Sequence, residues 1–438
     1  VERLKNEKVF PITLRAPFCT FTFFHEMPLL KDSSLVRGSV AMTLLHNARN
    51  RFLFLVLSFI FWFSNFIYIP ILSPYLETIG GDYTFIGMVL GSYGLMQFLF
   101  RLPFGILSDL IKVRKPFIIF GMVVSTLSCV TFAWADSLGW ILLARSLAGI
   151  AAATWVAFTI LFSSYFSERD LHRAMGSISL AVVLAQLLGM VVSGYIVDQW
   201  GWHAPFWGGG IIGFVGIVLS LFIYESNEDF QKEPIQLKEL LSVMLEPGLL
   251  KVSFLSILAH GIIFSTMFGF TPTFALKLGL QTDEISMVIF SFMIPHAIAT
   301  MLSGKLFVPL FGQWKLLKLA FALTAIFTAC TPLAETKGLL FLIQGLNGFS
   351  LGTLFPLFLG MAVEAISLEK RATAMGAYQA IYAIGMFAGP FIAGILISHL
   401  GISSGFYFAG SLGLTALLFM IVWSHLERKA IKHNLKLN

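Results

Sequence analysis

Charge is scarce in this chain: Lys, Arg, Asp and Glu together make up 12% of its 438 residues, against roughly 25% in soluble domains. Cysteine is scarcer still. Cys19, Cys129 and Cys330 stand far apart without metal-ligand spacing, which excludes a disulfide framework and gives no metal site. Acids are missing from the deep apolar runs, since Glu77, Asp198 and Glu364 lie near run ends. Also missing are a phosphate-binding loop with its lysine, a zincin motif and G-x-S-x-G, so neither an enzyme nor an ATP-driven pump is expected. What is there is apolar. Hydrophobic residues reach 57% before the 38 glycines are counted, above the roughly 45–50% of soluble chains with glycine included. No soluble fold hides that much apolar surface, so the bilayer must be the solvent for most of it.

Twelve runs are long enough to span a bilayer as helices, which takes about 20 residues: 53–76, 84–108, 117–134, 138–164, 174–197, 204–224, 252–275, 286–309, 316–333, 339–363, 373–398 and 404–423. They lack the alternation of barrel strands, and lipid admits only helices or closed barrels. The expected fold is an all-α membrane protein. The polar stretch 225–251 divides the runs six and six. The expected layout is a cytoplasmic tail over 1–50, bundles over 51–224 and 252–424, a central loop over 225–251 and a tail over 425–438. Within the loop, PIQLKELLSVML reads as a short amphipathic helix on the membrane. Residues 1–48 read as a tail, or as upstream sequence from an early start, because the chain opens on Val and Met42 precedes the first run. No apolar core with a small-residue cleavage site marks a signal peptide there.

The placement of cations sets the orientation. With the amino terminus inside, inner segments hold 19 Lys and Arg, and the outer loops hold Lys277 and Lys337. Cytoplasmic loops carry the excess, so both termini are expected in the cytoplasm of a multi-pass cell-membrane protein. The net charge of +6 is then a topology signal, not a nucleic-acid surface.

The halves repeat. Residues 174–210 and 374–410 align at an offset of 200, matching Ala174/Ala374, Gly176/Gly376, Gly189/Gly389, Gly194/Gly394, Gly201/Gly401 and Phe206/Phe406. Upstream, an offset of 199 pairs Gly105 with Gly304 and Gly149 with Gly348. Duplicated halves of one orientation imply a pseudo-twofold axis along the membrane normal and a site between them near the midplane.

In GILSDLIKVRK, Gly105, Asp109, Arg114 and Lys115 resemble the loop signature of the major facilitator superfamily, G-x-x-x-D-R/K-x-G-x-R-K/R. Leu110 stands for its basic residue and Lys112 for its second glycine. Arg145 and Gly149 in LLARSLAG resemble the family's R-x-x-x-G. The likeness covers about residues 50–425. It implies two pseudo-symmetric six-helix bundles and a cavity lined by helices 1, 2, 4, 5, 7, 8, 10 and 11. It also implies that Asp109, with Arg114 as partner, latches the outward-facing state against the eleventh helix. The plainer reading is that Arg114 and Lys115 only hold the loop inside.

Arg145 lies several residues inside its run, where an arginine costs roughly 2.5–3.5 kcal/mol on insertion scales and is normally paired or faces water. It is expected to bind a substrate anion or perturb a proton site, the alternative being snorkelling or structural pairing. Arg101 is expected to snorkel. His260 and His296 fall mid-run as packing residues or proton-coupling groups. Asn65, Tyr68, Tyr93, Gln97, Gln186, Gln344, Asn347, Tyr378, Gln379 and Tyr382 complete the substrate or coupling candidates, each with interhelical glue as its alternative. Tyr378 and Tyr382 share a face, and Gln344 is the repeat partner of Arg145. Trp62, Phe66, Trp155 and Phe158 are expected to face lipid rather than a pocket. Gly149, Gly189, Gly385, Gly389 and Pro390 read as close-packing and bending positions. The run GMFAGPFIAG is similar to the family's exporter motif, displaced from the fifth helix, where Met190 stands instead of proline.

The expectation is a secondary transporter without cofactor or metal, monomeric in the bilayer. It would move small drug-like or metabolic compounds outward by alternating access, coupled to protons. Its rivals are uptake or facilitated passage of an organic anion anchored by Arg145, and a non-transporting sensor on the same scaffold.

Overall fold

The computed structural model describes residues 34–134, 137–166, 170–225, 242–364, 366 and 371–437. Residues 47–438 form one compact unit; of the residues before it, 34–46 are helical. No strand occurs among the described residues. Among the described residues, twelve helices are long and apolar enough to cross a membrane: α1 (Ala48–Thr78), α2 (Tyr83–Leu110), α3 (Lys115–Trp134), α4 (Leu138–Ser164), α5 (Ala174–Trp200), α6 (Ala204–Leu221), α7 (Pro247–Lys277), α8 (Ile285–Phe311), α9 (Gln313–Leu333), α10 (Lys337–Ala362), α11 (Ala374–Leu400) and α12 (Ile402–Leu426). Their ends fall within a few residues of the apolar runs, with α1 and α7 starting about one turn early. The expected amphipathic stretch falls largely on residues 226–241, outside the described residues, as does most of the expected tail over 1–50.

Turn chemistry repeats between the halves. Gly80 and Gly279 end α1 and α7 at φ 86° and 94°, and Gly201 and Gly401 end α5 and α11 at φ 84° and 83°. Gly312 opens α9 at φ 74°, while its equivalent before α3 is Lys112 at φ 54°. Lysine therefore makes the turn that the family signature gives to glycine, at roughly 1–2 kcal/mol of local strain. Two spans are also broken just before a proline, which removes a donor. A turn at Ile67 and Tyr68 precedes Pro70 in α1, and a π-helical turn over Thr266–Phe270 precedes Pro272 in α7. Asp82 accepts from the Phe85 amide at 2.7 Å and caps α2, satisfying one of its orphan amides.

The halves join mainly through α2 against α11 and α5 against α8. Residues 200 apart in sequence meet at the end holding the α1–α2 loop. Ser73 and Thr273 share a hydrogen bond at 2.8 Å, and Glu77 lies 3.1 Å from Lys277. Tyr83 donates to Glu77 at 2.6 Å and accepts from Lys277. Backbones nearly touch there: a Cβ on Gly87 would stand 2.3 Å from the Pro390 carbonyl oxygen, and one on Gly394 2.3 Å from that of Tyr83. On α5, a Cβ on Gly194 would stand 2.3 Å from the Thr282 carbonyl oxygen. Toward the α2–α3 end the contact opens. Among the described residues nothing lies within 4 Å of a Cβ on Gly176, Gly304, Gly360 or Gly376. Backbones of the two halves meet closely at one end, and among the described residues no such approach occurs at the other.

Candidate functional site

Arg145 is buried on α4 with 1% of its surface exposed, so it does not snorkel. Its guanidinium lies over the Tyr93 ring at 4.2 Å and near the Tyr68 ring at 5.9 Å. Nη1 donates to the Tyr68 hydroxyl at 3.4 Å, and Nε has no partner among the described residues. Among the described residues it meets no carboxylate. Cation–π contact contributes about 2 kcal/mol when desolvated, against several kcal/mol for burying an ion. A guanidinium with five N–H donors and one long bond is built for an incoming acceptor.

Arg101 departs from expectation. It is 2% exposed and does not snorkel, because α4 and α11 close over it. Nη2 donates to Gln97 Oε1 at 2.5 Å and to the Ala152 carbonyl of α4 at 3.3 Å. Nη1 crosses to the other half, donating to the Gln379 carbonyl at 3.3 Å and the Tyr382 hydroxyl at 3.2 Å. Its Nε also has no partner among the described residues. Tyr93, Gln97 and Arg101 recur every four residues along α2, so one stripe carries all three. That spacing was the readable signal for Arg101.

Tyr382 leads into the second half. His260 stacks on its ring at 4.0 Å between centroids and 2° between planes. His260 Nδ1 lies 2.8 Å from the Ser256 carbonyl, and the Ser256 hydroxyl shares a bond of 2.7 Å with that of Tyr378. Arg145, Tyr68, Tyr93, Gln97, Arg101, Tyr382, His260 and Tyr378 therefore form one polar chain across the halves. Ser256 is a member that sequence reading did not single out, although it stands one turn before His260.

An aromatic cluster lies within the first half and reaches the second. Trp62 meets Trp155 at 5.1 Å and Phe66 at 5.7 Å, and Phe66 reaches Phe268 of the other half at 5.7 Å. Trp62, Phe66 and Phe158 are buried and Trp155 is half-buried. The expected lipid-facing placement is thus reversed: these rings pack against one another inside the protein. Trp62 Nε1 is buried without a partner.

Other candidates lie elsewhere. Asn65 donates to Ser125 of α3 at 2.8 Å. Gln344 donates to Thr331 at 3.4 Å, and Asn347 accepts from Thr328 at 3.2 Å, both on α9 within the second half. His296 packs on Phe292 and Phe355. Gln186 and Gln379 are half-buried, with no side-chain hydrogen bond among the described residues. A Cβ on Gly149 would stand 2.5 Å from the Tyr93 carbonyl oxygen, one on Gly385 2.0 Å from that of Ile257, and one on Gly389 2.5 Å from that of Gly261. One on Gly189 would stand 3.2 Å from the Phe63 carbonyl oxygen.

At the α2–α3 loop, Asp109 is paired with Arg114, and Gly105 faces Val156 of α4. Glu225 adds a member not read from the sequence. Its two oxygens accept the backbone amides of Arg114 at 2.5 Å and Lys115 at 2.8 Å, placing a carboxylate on the positive end of α3. Lys115 Nζ donates to the Leu221 carbonyl at 2.8 Å.

A sequence model of the Major Facilitator Superfamily matches residues 54–334 and 253–437. The inner membrane transport protein YajR of Escherichia coli is 34% identical over 205 residues, which are 46% of this chain and 45% of YajR, so the chain matches under half of that relative's length. The MFS-type transporter MJ1560 of Methanocaldococcus jannaschii is 24% identical over 80% of this chain and 94% of its own. Among solved structures, a bacterial homologue of the lysosomal transporter Spinster, inward-facing and occupied, superposes with a TM-score of 0.70 at 13% identity, covering 90% of this chain and 98% of that one.

Proposed function

This chain belongs to the major facilitator superfamily of membrane transporters, which are not enzymes, and on that premise we propose that its cargo is a small organic anion carried by alternating access. One observation carries the reading: two buried guanidiniums, Arg101 bridging the halves and Arg145 packed on Tyr68 and Tyr93 of the first, with no carboxylate beside them among the described residues. Ala152, which Arg101 touches, and Arg145 share a face of α4 seven residues apart, about 10 Å along the helix. A neutral or cationic cargo would leave both cations uncompensated.

The excess of cations supports a cytoplasmic α2–α3 end, with both termini inside, and on that orientation the conformation reads as inward-facing. Asp109 and Arg114 would latch the alternate state against α11. The direction we propose is efflux from the cell, because an inside-negative potential drives a monoanion outward with roughly 2.3 kcal/mol per 100 mV. The working unit is a monomer. Proton coupling is a companion reading that rests on His260, stacked on the ring whose hydroxyl Arg101 holds.

The test is thermal stabilisation and tryptophan fluorescence of the detergent-solubilised protein with benzoate, succinate, inorganic phosphate and tetraphenylphosphonium. Anions should bind and the phosphonium should not. Arg145→Gln should weaken anion binding by about 30-fold or more. Binding of tetraphenylphosphonium with no response to any anion would overturn the reading. Proton coupling is tested separately in inside-out vesicles, where His260→Ala should abolish an anion-driven pH change.

A further inference from the structure

We propose that Arg101 is the tie through which a bound anion releases one half of the protein from the other. The inference rests on the anion reading and adds a mechanism to it. Arg101 is rooted in the first half by Gln97 and the Ala152 carbonyl, and it reaches α11 only through Nη1, with bonds of 3.2 and 3.3 Å to a hydroxyl and a carbonyl. These are long bonds to neutral acceptors. Bonds from a guanidinium to a carboxylate or phosphate are shorter and roughly twice as strong. An anion beside Arg101 therefore outcompetes α11 for Nη1 and takes up the orphaned Nε as well.

The tie sits at a decisive level of the α2–α11 contact. Toward the α1–α2 end that contact is continuous, from Gly87 against Gly394 to Gly94 against Met386. Beyond Arg101, Gly105 finds only Val156 of its own half, and Leu107 and Leu110 are exposed. Arg101 is thus the last polar link described between α2 and α11 before the helices part. Arg145, about 10 Å away along α4, holds cargo through the first half alone, since its described partners Tyr68 and Tyr93 belong to that half. Binding and release are divided between two arginines: Arg145 anchors, and Arg101 trades α11 for the anion. Ligand binding shifts the conformation only by such differential contact.

The experiment measures distances by double electron–electron resonance between nitroxides on Leu180→Cys and Met301→Cys, with the native cysteines replaced by serine, in nanodiscs. Leu180 and Met301 are exposed, toward the parted end of α5 and α8. Benzoate, succinate and phosphate serve as probes, with binding read in parallel by tryptophan fluorescence. In the parent protein a bound anion should lower the population with the long distance. Arg101→Gln should lower it about tenfold without ligand, the equivalent of 1.4 kcal/mol; it should bind anion more weakly, through Arg145, and at saturating anion its distances should respond little. Tyr382→Phe, which leaves Arg101 in place, should shift the resting population in the same direction. Arg101→Lys should fall between, keeping the charge but not the fork. If Arg101→Gln binds anion and keeps both the parental distances and the parental response, the tie is overturned while the anion reading stands. If no anion binds the parent protein, both fall.

Discussion

Alanine in place of Gly87 would set a methyl carbon 2.3 Å from the Pro390 carbonyl oxygen and 3.0 Å from Gly394 Cα. Carbon and oxygen pack at about 3.3 Å, so α2 and α11 must separate by roughly 1 Å. Both contact atoms are backbone, and no side-chain rotation relieves them. Overpacking of this kind costs about 1–3 kcal/mol. Here the penalty falls on an interface between the halves, so it weighs on the conformation closed at the α1–α2 end and spares the one opened there. The ratio of the two should move by roughly 5- to 150-fold. The assay is electron–electron distance measurement between nitroxides on Thr78→Cys and Leu400→Cys in a cysteine-free background; both positions are exposed at that end. Gly87→Ala should populate a longer distance. Gly376→Ala, with nothing within 4 Å of its Cβ, should leave the distribution alone. A folded Gly87→Ala protein with parental distances would refute the claim that close backbone approach holds this end shut.

Three further outcomes follow from local geometry. Lys112→Gly should raise stability by up to about 1 kcal/mol, since glycine accepts the left-handed turn without strain and Gly312 already does so in the second half; a drop in melting temperature would contradict this. Glu225→Ala should cost about 0.5–2 kcal/mol in thermal unfolding, because it frees the amides of Arg114 and Lys115 at the start of α3 as loss of any N-terminal cap does. Lys337 bonds both oxygens of Glu284 at 2.8 and 2.6 Å, and the Gln281 amide adds a third bond, which together hold this carboxyl below the usual range. Its stabilisation is therefore full above the unfolded value near about 4.3 and disappears as pH falls through the lowered folded value. The gap in melting temperature between parent and Glu284→Gln should close on acidification, and a gap that widened would reverse the assignment.

The sequence by itself determined what is local or periodic. Twelve apolar runs gave twelve helices because lipid leaves an apolar stretch of that length no other way to satisfy its backbone. The duplicated glycines gave the pseudo-symmetry, and Gly201 and Gly401 end equivalent helices with nearly equal φ. Even the irregular turn at Lys112 was marked, since a signature glycine was missing there. Tertiary structure alone decided which polar groups meet. Hydrophobic residues make up 57% of the chain, and they dominate its spanning helices. No amphipathic stripe told Trp62 from a lipid-facing tryptophan, and the row Tyr93, Gln97 and Arg101 marked a polar stripe on α2 without saying which helices would cover it. Gln344 and Arg145 occupy equivalent places in the repeat, yet one turns to α9 within its half and the other faces the tyrosines of α1 and α2. Arg101 finds Tyr382 across 281 residues of sequence. Such a meeting depends on how each helix rotates against its neighbours, and that rotation is set by backbone contacts such as Gly87 on Gly394, which exist only once both halves have folded.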